Sequence, residues 1–146
     1  MIILLRTLFE ENSSIKIIEY IKQQLIDLYK QLTTCEMIPT NVFFNIIMSQ
    51  PIYVDIDETM KIRGAITILI ERKIIHNGGY VCHIEDVVVD FKSRGKQIGS
   101  ALMKYAIQHA KEQKCYKIIL DCDPNVERFY QTLGFEAKNF QMSLYL

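Results

Sequence analysis

Residues 83–100 read His83-Ile84-Glu85-Asp86-Val87-Val88-Val89-Asp90-Phe91-Lys92-Ser93-Arg94-Gly95-Lys96-Gln97-Ile98-Gly99-Ser100. A β-branched run gives way to a loop with Arg94, Gly95, Lys96 and Gly99. The loop opens a helix whose apolar positions are Leu102, Ala106, Ile107 and Ala110. The N–H groups at a helix start lack intrahelical partners and attract anions, and glycine lets the backbone come close to one. Arg94 and Lys96 add positive charge, so a diphosphate is the natural guest. The G-K-[ST] of a Walker loop and the G-x-G-x-x-G of a dinucleotide fold are both absent. Taken alone, the stretch is also compatible with an ordinary glycine-bearing turn.

On the N-terminal side, Ile2 to Leu8 is β-rich, and Asn12-Ser13-Ser14 offers helix N-caps. Ile18, Ile21, Leu25, Leu28 and Leu32 then recur at helical spacing. Pro39-Thr40-Asn41 starts a second helix with Val42, Phe43, Ile46 and Ile47. Strands are expected at Ile52–Ile56, Met60–Glu71 and Tyr80–Val89, the last two joined by the turn Asn77-Gly78-Gly79, whose residues tolerate positive φ. On the C-terminal side, a strand is expected at Tyr116–Cys122 and a helix over Asn125–Leu133, which Gly134 ends. The tail from Ala137 alternates, with Phe140, Met142, Leu144 and Leu146 on one face, and reads as a final strand. The order β α α β β β α β α β predicts an α/β fold in which helices cover a mixed sheet. The strand–helix–strand unit from Tyr80 to Cys122 should be parallel.

The 146 residues fit one domain spanning 1–146, without disulfide or metal support. Lys plus Arg and Asp plus Glu both number 17, so no global field draws the chain to nucleic acid or an anionic membrane. Cys35, Cys82, Cys115 and Cys122 form no C-x-x-C pair, so no metal is expected, and reduced thiols suit a cytoplasmic setting. No apolar run approaches the ~20 residues of a membrane span. The apolar start Met1–Leu5 lacks the features of a signal peptide and reads as an opening strand.

Arg94-Gly95-Lys96-Gln97-Ile98-Gly99 resembles the R/Q-x-x-G-x-G/A motif of the GNAT superfamily of N-acetyltransferases, with Gln97 where glycine is usual. Phe129-Tyr130 followed by Leu133-Gly134-Phe135 resembles the closing helix of that superfamily. More specific are Leu32-Thr33-Thr34, Glu71-Arg72-Lys73-Ile74-Ile75-His76, His83–Val89 and Cys115-Tyr116-Lys117-Ile118-Ile119-Leu120-Asp121-Cys122. Together they resemble the glucosamine-6-phosphate N-acetyltransferase family from about Leu32 to Phe135.

That resemblance implies the GNAT fold, a central mixed, mostly antiparallel sheet with a parallel splayed pair, flanked by helices. It implies acetyl-CoA as cosubstrate, glucosamine 6-phosphate as acceptor and a homodimer with sites at the subunit interface. The acceptor would be held by Thr33, Arg72, Lys73, His76, Glu85, Asp86, Val87, Tyr116 and Lys117. The coenzyme would lie along Val87, Val88 and Val89. Its diphosphate would sit on Arg94, Gly95, Lys96, Gln97, Ile98, Gly99 and Ser100, with Asp121 and Tyr130 at the thioester end.

The catalytic residues would be Glu85, Asp121 and Tyr130. Glu85 accepts the amine proton through water, Tyr130 protonates or hydrogen-bonds the departing thiolate, Asp121 orients the amine or a water, and Val88 N–H steadies the oxyanion. Two departures stand out. Tyr145 occupies the place of a basic residue near the C-terminus, and Asn125 precedes Phe129 by four residues rather than three.

Read singly, the same residues are ordinary. His76 and His83 are strand-face histidines, His109 is a surface group, and Lys73 and Lys117 are surface lysines. Strand alternation puts Glu85 and Asp86 on opposite faces, so at most one faces the cleft. The rival functions are acetylation of another primary amine (peptide, polyamine or aminoglycoside) and a non-catalytic acyl-CoA-binding module.

Overall fold

The computed structural model describes residues 1–10 and 14–146. Its elements are β1 (Ile2–Leu4), α1 (Thr7–Glu10), α2 (Ile15–Tyr29), α3 (Thr40–Ser49), β2 (Ile52–Ile56), β3 (Ile62–Arg72), α4 (Ile75–Gly78), β4 (Tyr80–Val89), α5 (Ile98–Glu112), β5 (Cys115–Ile119) and α6 (Glu127–Gln131). The sheet order is β1-β2-β3-β4-β5. The first three pairings are antiparallel and β4–β5 is parallel. The mixed, mostly antiparallel sheet and its parallel strand–helix–strand unit are those expected.

Strand alternation splits the core between the two faces of the sheet. Ile21, Leu25 and Leu28 of α2 and Phe43 and Ile47 of α3 cover one face, against Val54, Ile56, Ala65 and Val88. Leu102, Met103, Ala106 and Ala110 of α5 cover the other, against Ile66, Ile68, Cys82 and Ile84. The close approach of α5 needs Gly64. A Cβ there would lie 3.0 Å from Leu102 Cδ1 and from Val88 O, and 3.1 Å from Ile98 Cγ2.

Several expectations are corrected. The opening strand stops at Leu4, because Thr7 Oγ1 donates to Leu4 O at 2.7 Å and the chain turns into α1. Of the expected caps, Asn12 and Ser13 lie outside the described residues. Ser14 holds the N-cap position of α2 in extended conformation but makes no side-chain capping bond. His76 lies in a left-handed turn at φ 52 with Asn77 at φ 56 and Gly78 at φ 75, not on a strand, because β3 ends at Arg72. β5 ends at Ile119 rather than Cys122, where its ladder with β4 gives out.

The expected helix over Asn125–Leu133 is a 3₁₀ turn at Pro124–Val126 followed by α6. The tail forms no strand. Phe140, Met142 and Leu144 are at least 86% exposed, since alternation supplies an apolar face but no neighbouring edge to bond to. Among the described residues, no helix is long and apolar enough to cross a membrane.

Candidate active site

The β3–β4 ladder carries an extra residue. Thr67 pairs with Glu85 and Ala65 with Val88, so Ile66 alone stands opposite both Asp86 and Val87. Asp86 absorbs the insertion at φ 52, a region that Asp reaches more readily than most residues. This bulge resets the alternation. Cys82 and Ile84 before it, and Val87 and Val89 after it, all join the α5-side core.

The same bulge corrects the expectation for Glu85 and Asp86, both of which line the cleft. Beyond it, β4 and β5 separate. Their register partners run only to His83 and Ile119, so the edge of β4 that faces β5 is open from Ile84 onward.

A cleft of about 1110 Å³ fills this opening. Ile84–Val89 form one wall and Leu120–Pro124 the other. Ser93, Arg94, Gly95, Gln97, Ile98, Gly99 and Ser100 close one end, and Phe129 and Tyr130 lie inside. Helix α5 starts at this end. Ala101 N–H donates to Gln97 O at 2.9 Å, leaving the first-turn N–H groups of Ile98, Gly99 and Ser100 unpaired within the helix.

The loop before α5 bends through left-handed conformations at Gly95 (φ 78) and Gln97 (φ 60). Nothing lies within 4 Å of where a Gly95 Cβ would point. Arg94 and Lys96 are exposed beside it. The donor set suits a diphosphate, and the open β4 edge offers main-chain groups to an amide-bearing chain.

Inside the cleft, burial and the neighbouring carboxylates of Asp121 and Asp86 push the Glu85 pKa up, with a smaller opposing pull from His83. Tyr130 is 9% exposed, packed edge-on against Phe129 and Phe135 at 5.0 and 6.1 Å. Burial, and then Cys122, push its phenol pKa up, so it stays a proton donor at neutral pH. Burial and the acidic Glu127, Asp121 and Asp123 push the Cys122 thiol up, which keeps it from being a ready thiolate nucleophile.

The remaining candidates divide between the faces of the sheet. Cross-strand register puts Glu71, Val81 and Lys117 in one row, Leu69, His83 and Ile119 in the next, and Thr67 and Glu85 in a third. All three rows face away from α5. On this face Glu71 bridges Lys73 at 2.5 Å and His83 at 2.8 Å, which lowers its own pKa.

Arg72 instead pairs across to Tyr80 on the α5 face, its guanidinium 5.6 Å from the ring centroid. His76 lies tilted against Tyr116, ring centroids 4.2 Å apart, where the β4–β5 register shifts. Arg72, Lys73, His76, Tyr116 and Lys117 all lie outside the cleft lining. Thr33 is exposed in the turn after α2, and the adjacent Leu32 reaches the cleft. His109 is half-buried against Tyr53 and Tyr105. Asn125 is outside the lining, its N–H bonded to Asp123 Oδ1 at 2.8 Å.

Sequence reasoning missed Gln31 and Ser93, which also line the cleft. Nothing in the local pattern marks either residue, since Gln31 is one polar position before the last member of the apolar stripe. No group of three or more His, Cys, Asp or Glu side chains among the described residues is arranged to hold a metal ion.

The family model described as the acetyltransferase (GNAT) family matches residues 16–135. The chain is 42% identical over 87 residues to glucosamine 6-phosphate N-acetyltransferase 1 of Oryza sativa subsp. japonica, covering 60% of this chain and 53% of that one. It is 34% identical over 128 residues to glucosamine 6-phosphate N-acetyltransferase 1 of Dictyostelium discoideum, covering 88% and 75%. The match thus spans about half the length of the rice relative. Among solved structures, glucosamine-6-phosphate N-acetyltransferase from Arabidopsis thaliana superposes with a TM-score of 0.79 at 37% identity, covering 88% of this chain and 92% of that one.

Proposed function

This chain belongs to the acetyltransferase (GNAT) family, and from that premise we propose that it transfers acetyl from acetyl-CoA to the 2-amino group of glucosamine 6-phosphate. The acetyltransferase unit then comprises residues 1–146. The observation that carries the reading is the opening between β4 and β5, with unpaired helix N–H groups at one end and Glu85, Asp121 and Tyr130 along its walls. The relatives' names supply the acceptor.

The coenzyme supplies an activated acetyl group as a thioester. Arg94, Lys96 and the N–H groups of Ile98, Gly99 and Ser100 hold its diphosphate. The open main chain of Val87 and Val89 orients its pantetheine arm, whereas the Val88 N–H expected at the oxyanion turns back to Ala65 of β3, in step with Asp90 N–H on Arg63 O. The acceptor nitrogen attacks only as the free amine. Glu85 takes its proton, directly or through one water, and its raised pKa makes it a stronger base than an ordinary carboxylate.

Asp121 steadies the ammonium form as it approaches, and Tyr130 gives its phenolic proton to the departing thiolate. Transfer runs directly from thioester to amine in a ternary complex, and the raised pKa of the Cys122 thiol fits a route with no acetyl-cysteine. Lys73 and Lys117, on the same sheet face as Glu85, are the phosphate ligands favoured within one chain. Arg72, His76 and Tyr116, on the other face or at its rim, are left to serve a neighbouring subunit. The homodimer is part of this proposal, with the exposed tail around Phe140 and Met142 as its apolar contact. A cytoplasmic setting fits the four free cysteines.

The test is thiol release from acetyl-CoA against a panel of amines with and without phosphate. Glucosamine 6-phosphate should be the best acceptor and plain glucosamine a poor one. Equal turnover of both, or preference for a peptide or polyamine, overturns the acceptor. Coenzyme binding without thiol release for any amine overturns catalysis.

A further inference from the structure

Two glutamines of this fold do the same job at different places. Gln24, on α2, accepts from Ile62 N–H at 2.9 Å and donates to Met60 O at 3.2 Å, fastening the helix to the start of β3. Gln31, seven residues on and just beyond the helix, accepts from Phe91 N–H at 2.9 Å and donates to Asp90 Oδ1 at 3.2 Å.

Asp90 and Phe91 are where β4 leaves the sheet for the diphosphate loop. Asp90 is itself held, being 8% exposed, with its N–H on Arg63 O at 2.9 Å and Lys61 Nζ 4.0 Å from Oδ2. Its carbonyl accepts Ser93 N–H at 2.7 Å. The planar amide of Gln31 thus fixes both the side chain of Asp90 and the next peptide. That orientation is passed along Ser93 and Arg94 to the helix start. Gln31 also lines the cleft, and its neighbours Leu32 and Thr33 form the turn on the acceptor side.

We propose that Gln31 is a positioning residue that sets the diphosphate loop and ties it to the acceptor-side turn. This rests on the coenzyme reading above. Because Phe91 is exposed, its N–H finds water once Gln31 is gone, so the loss falls on loop geometry more than on overall stability.

The experiment is calorimetric titration of the full chain with coenzyme A, with thermal unfolding alongside, for wild type, Gln31→Ala, Gln24→Ala and Gln31→Glu. Gln31→Ala should weaken coenzyme A binding about tenfold, equivalent to one or two hydrogen bonds. Gln24→Ala removes matching bonds at Met60 and Ile62 but none made to the loop itself, and should lower the unfolding midpoint while binding coenzyme A as wild type does. Gln31→Glu still accepts from Phe91 N–H but sets a second carboxylate against Asp90. Its binding defect should therefore exceed that of Gln31→Ala at neutral pH, and shrink towards wild type as pH falls and the pair shares a proton. The proposal is overturned if Gln31→Ala binds coenzyme A like wild type, if Gln24→Ala loses as much affinity, or if the Gln31→Glu defect does not change with pH. A wild-type chain that binds no coenzyme A overturns the coenzyme reading first, and this one with it.

Discussion

Gln97→Gly should make the protein more stable. Gln97 is the residue before α5, held at φ 60 and ψ 15, with its side chain exposed at the cleft mouth. For a residue with a Cβ, that left-handed conformation costs about 1–2 kcal/mol. Glycine removes the cost but brings extra freedom to the unfolded chain, which subtracts roughly 0.5–1 kcal/mol. The net gain is about 0.5–1 kcal/mol, or about 2–3 °C in unfolding midpoint for a domain of this size.

Gln97→Ala is the decisive control. It removes the same amide but keeps the Cβ, so its midpoint should stay within about 1 °C of wild type. The assay is thermal unfolding of the three proteins at one pH, repeated with coenzyme A. Because the loop is already bent, the coenzyme should raise all three midpoints equally. If Gln97→Ala rises as far as Gln97→Gly, the effect comes from losing the side chain and the strain argument fails. If Gln97→Gly falls, the loop is held by something other than the backbone geometry described.

Glu85→Gln should lower kcat/KM at least ~100-fold, the lower end for a general base. The wild-type ascending pH limb should lie above the ordinary Glu range. The stability sign is opposite to that of a salt-bridged carboxylate. Because the folded pKa is raised, the wild type should lose stability as pH climbs from the ordinary Glu value through the raised one, and Glu85→Gln should lose none over that window. Parallel stability–pH curves would refute this. Tyr130→Phe should cut kcat about tenfold with little change in coenzyme A affinity, as expected for a group acting on the leaving thiolate; an equal loss of both would reassign it to binding. Gly64→Ala should destabilise by about 1–3 kcal/mol, since Leu102 Cδ1 can swing away but Val88 O cannot. It should also raise the KM for acetyl-CoA by shifting the start of α5, and a neutral result would show the sheet yielding there.

The fold was legible wherever one period dominated. β2 and β4 fall on the expected bounds because Ile52–Ile56 and Tyr80–Val89 are bounded by turn residues. The stripe of α2 was equally plain as far as Leu28, with Leu32 falling past the helix end and exposed, and so was the turn before α5. The bulge was not, because alternation carries no mark of an inserted residue; it appears only when Thr67 and Ala65 are matched against Glu85 and Val88. Nor could the tail be placed. Phe140, Met142 and Leu144 alternate correctly, but a strand also needs a bonded neighbour, which no intrachain pattern specifies. Gln31 was invisible for a third reason, since its two bonds reach residues about sixty positions away.

One inserted residue accounts for most of what makes the cleft chemical. Without it, β4 would keep its alternation, and Glu85 and Asp86 would point to opposite sides of the sheet. With it, Val87 and Val89 are switched onto the α5 core, where the helix packs against them and presents its start to the cleft. Asp86 joins Glu85 in the cleft lining, and the edge of β4 beyond His83 is unpaired with β5. The unpaired edge creates room for a bound chain. Burial of Glu85 in that wall, then the carboxylates of Asp121 and Asp86, makes its proton harder to lose. Room for a thioester and part of the raised pKa, the share Asp86 adds beside burial and Asp121, therefore meet at one local break in strand register.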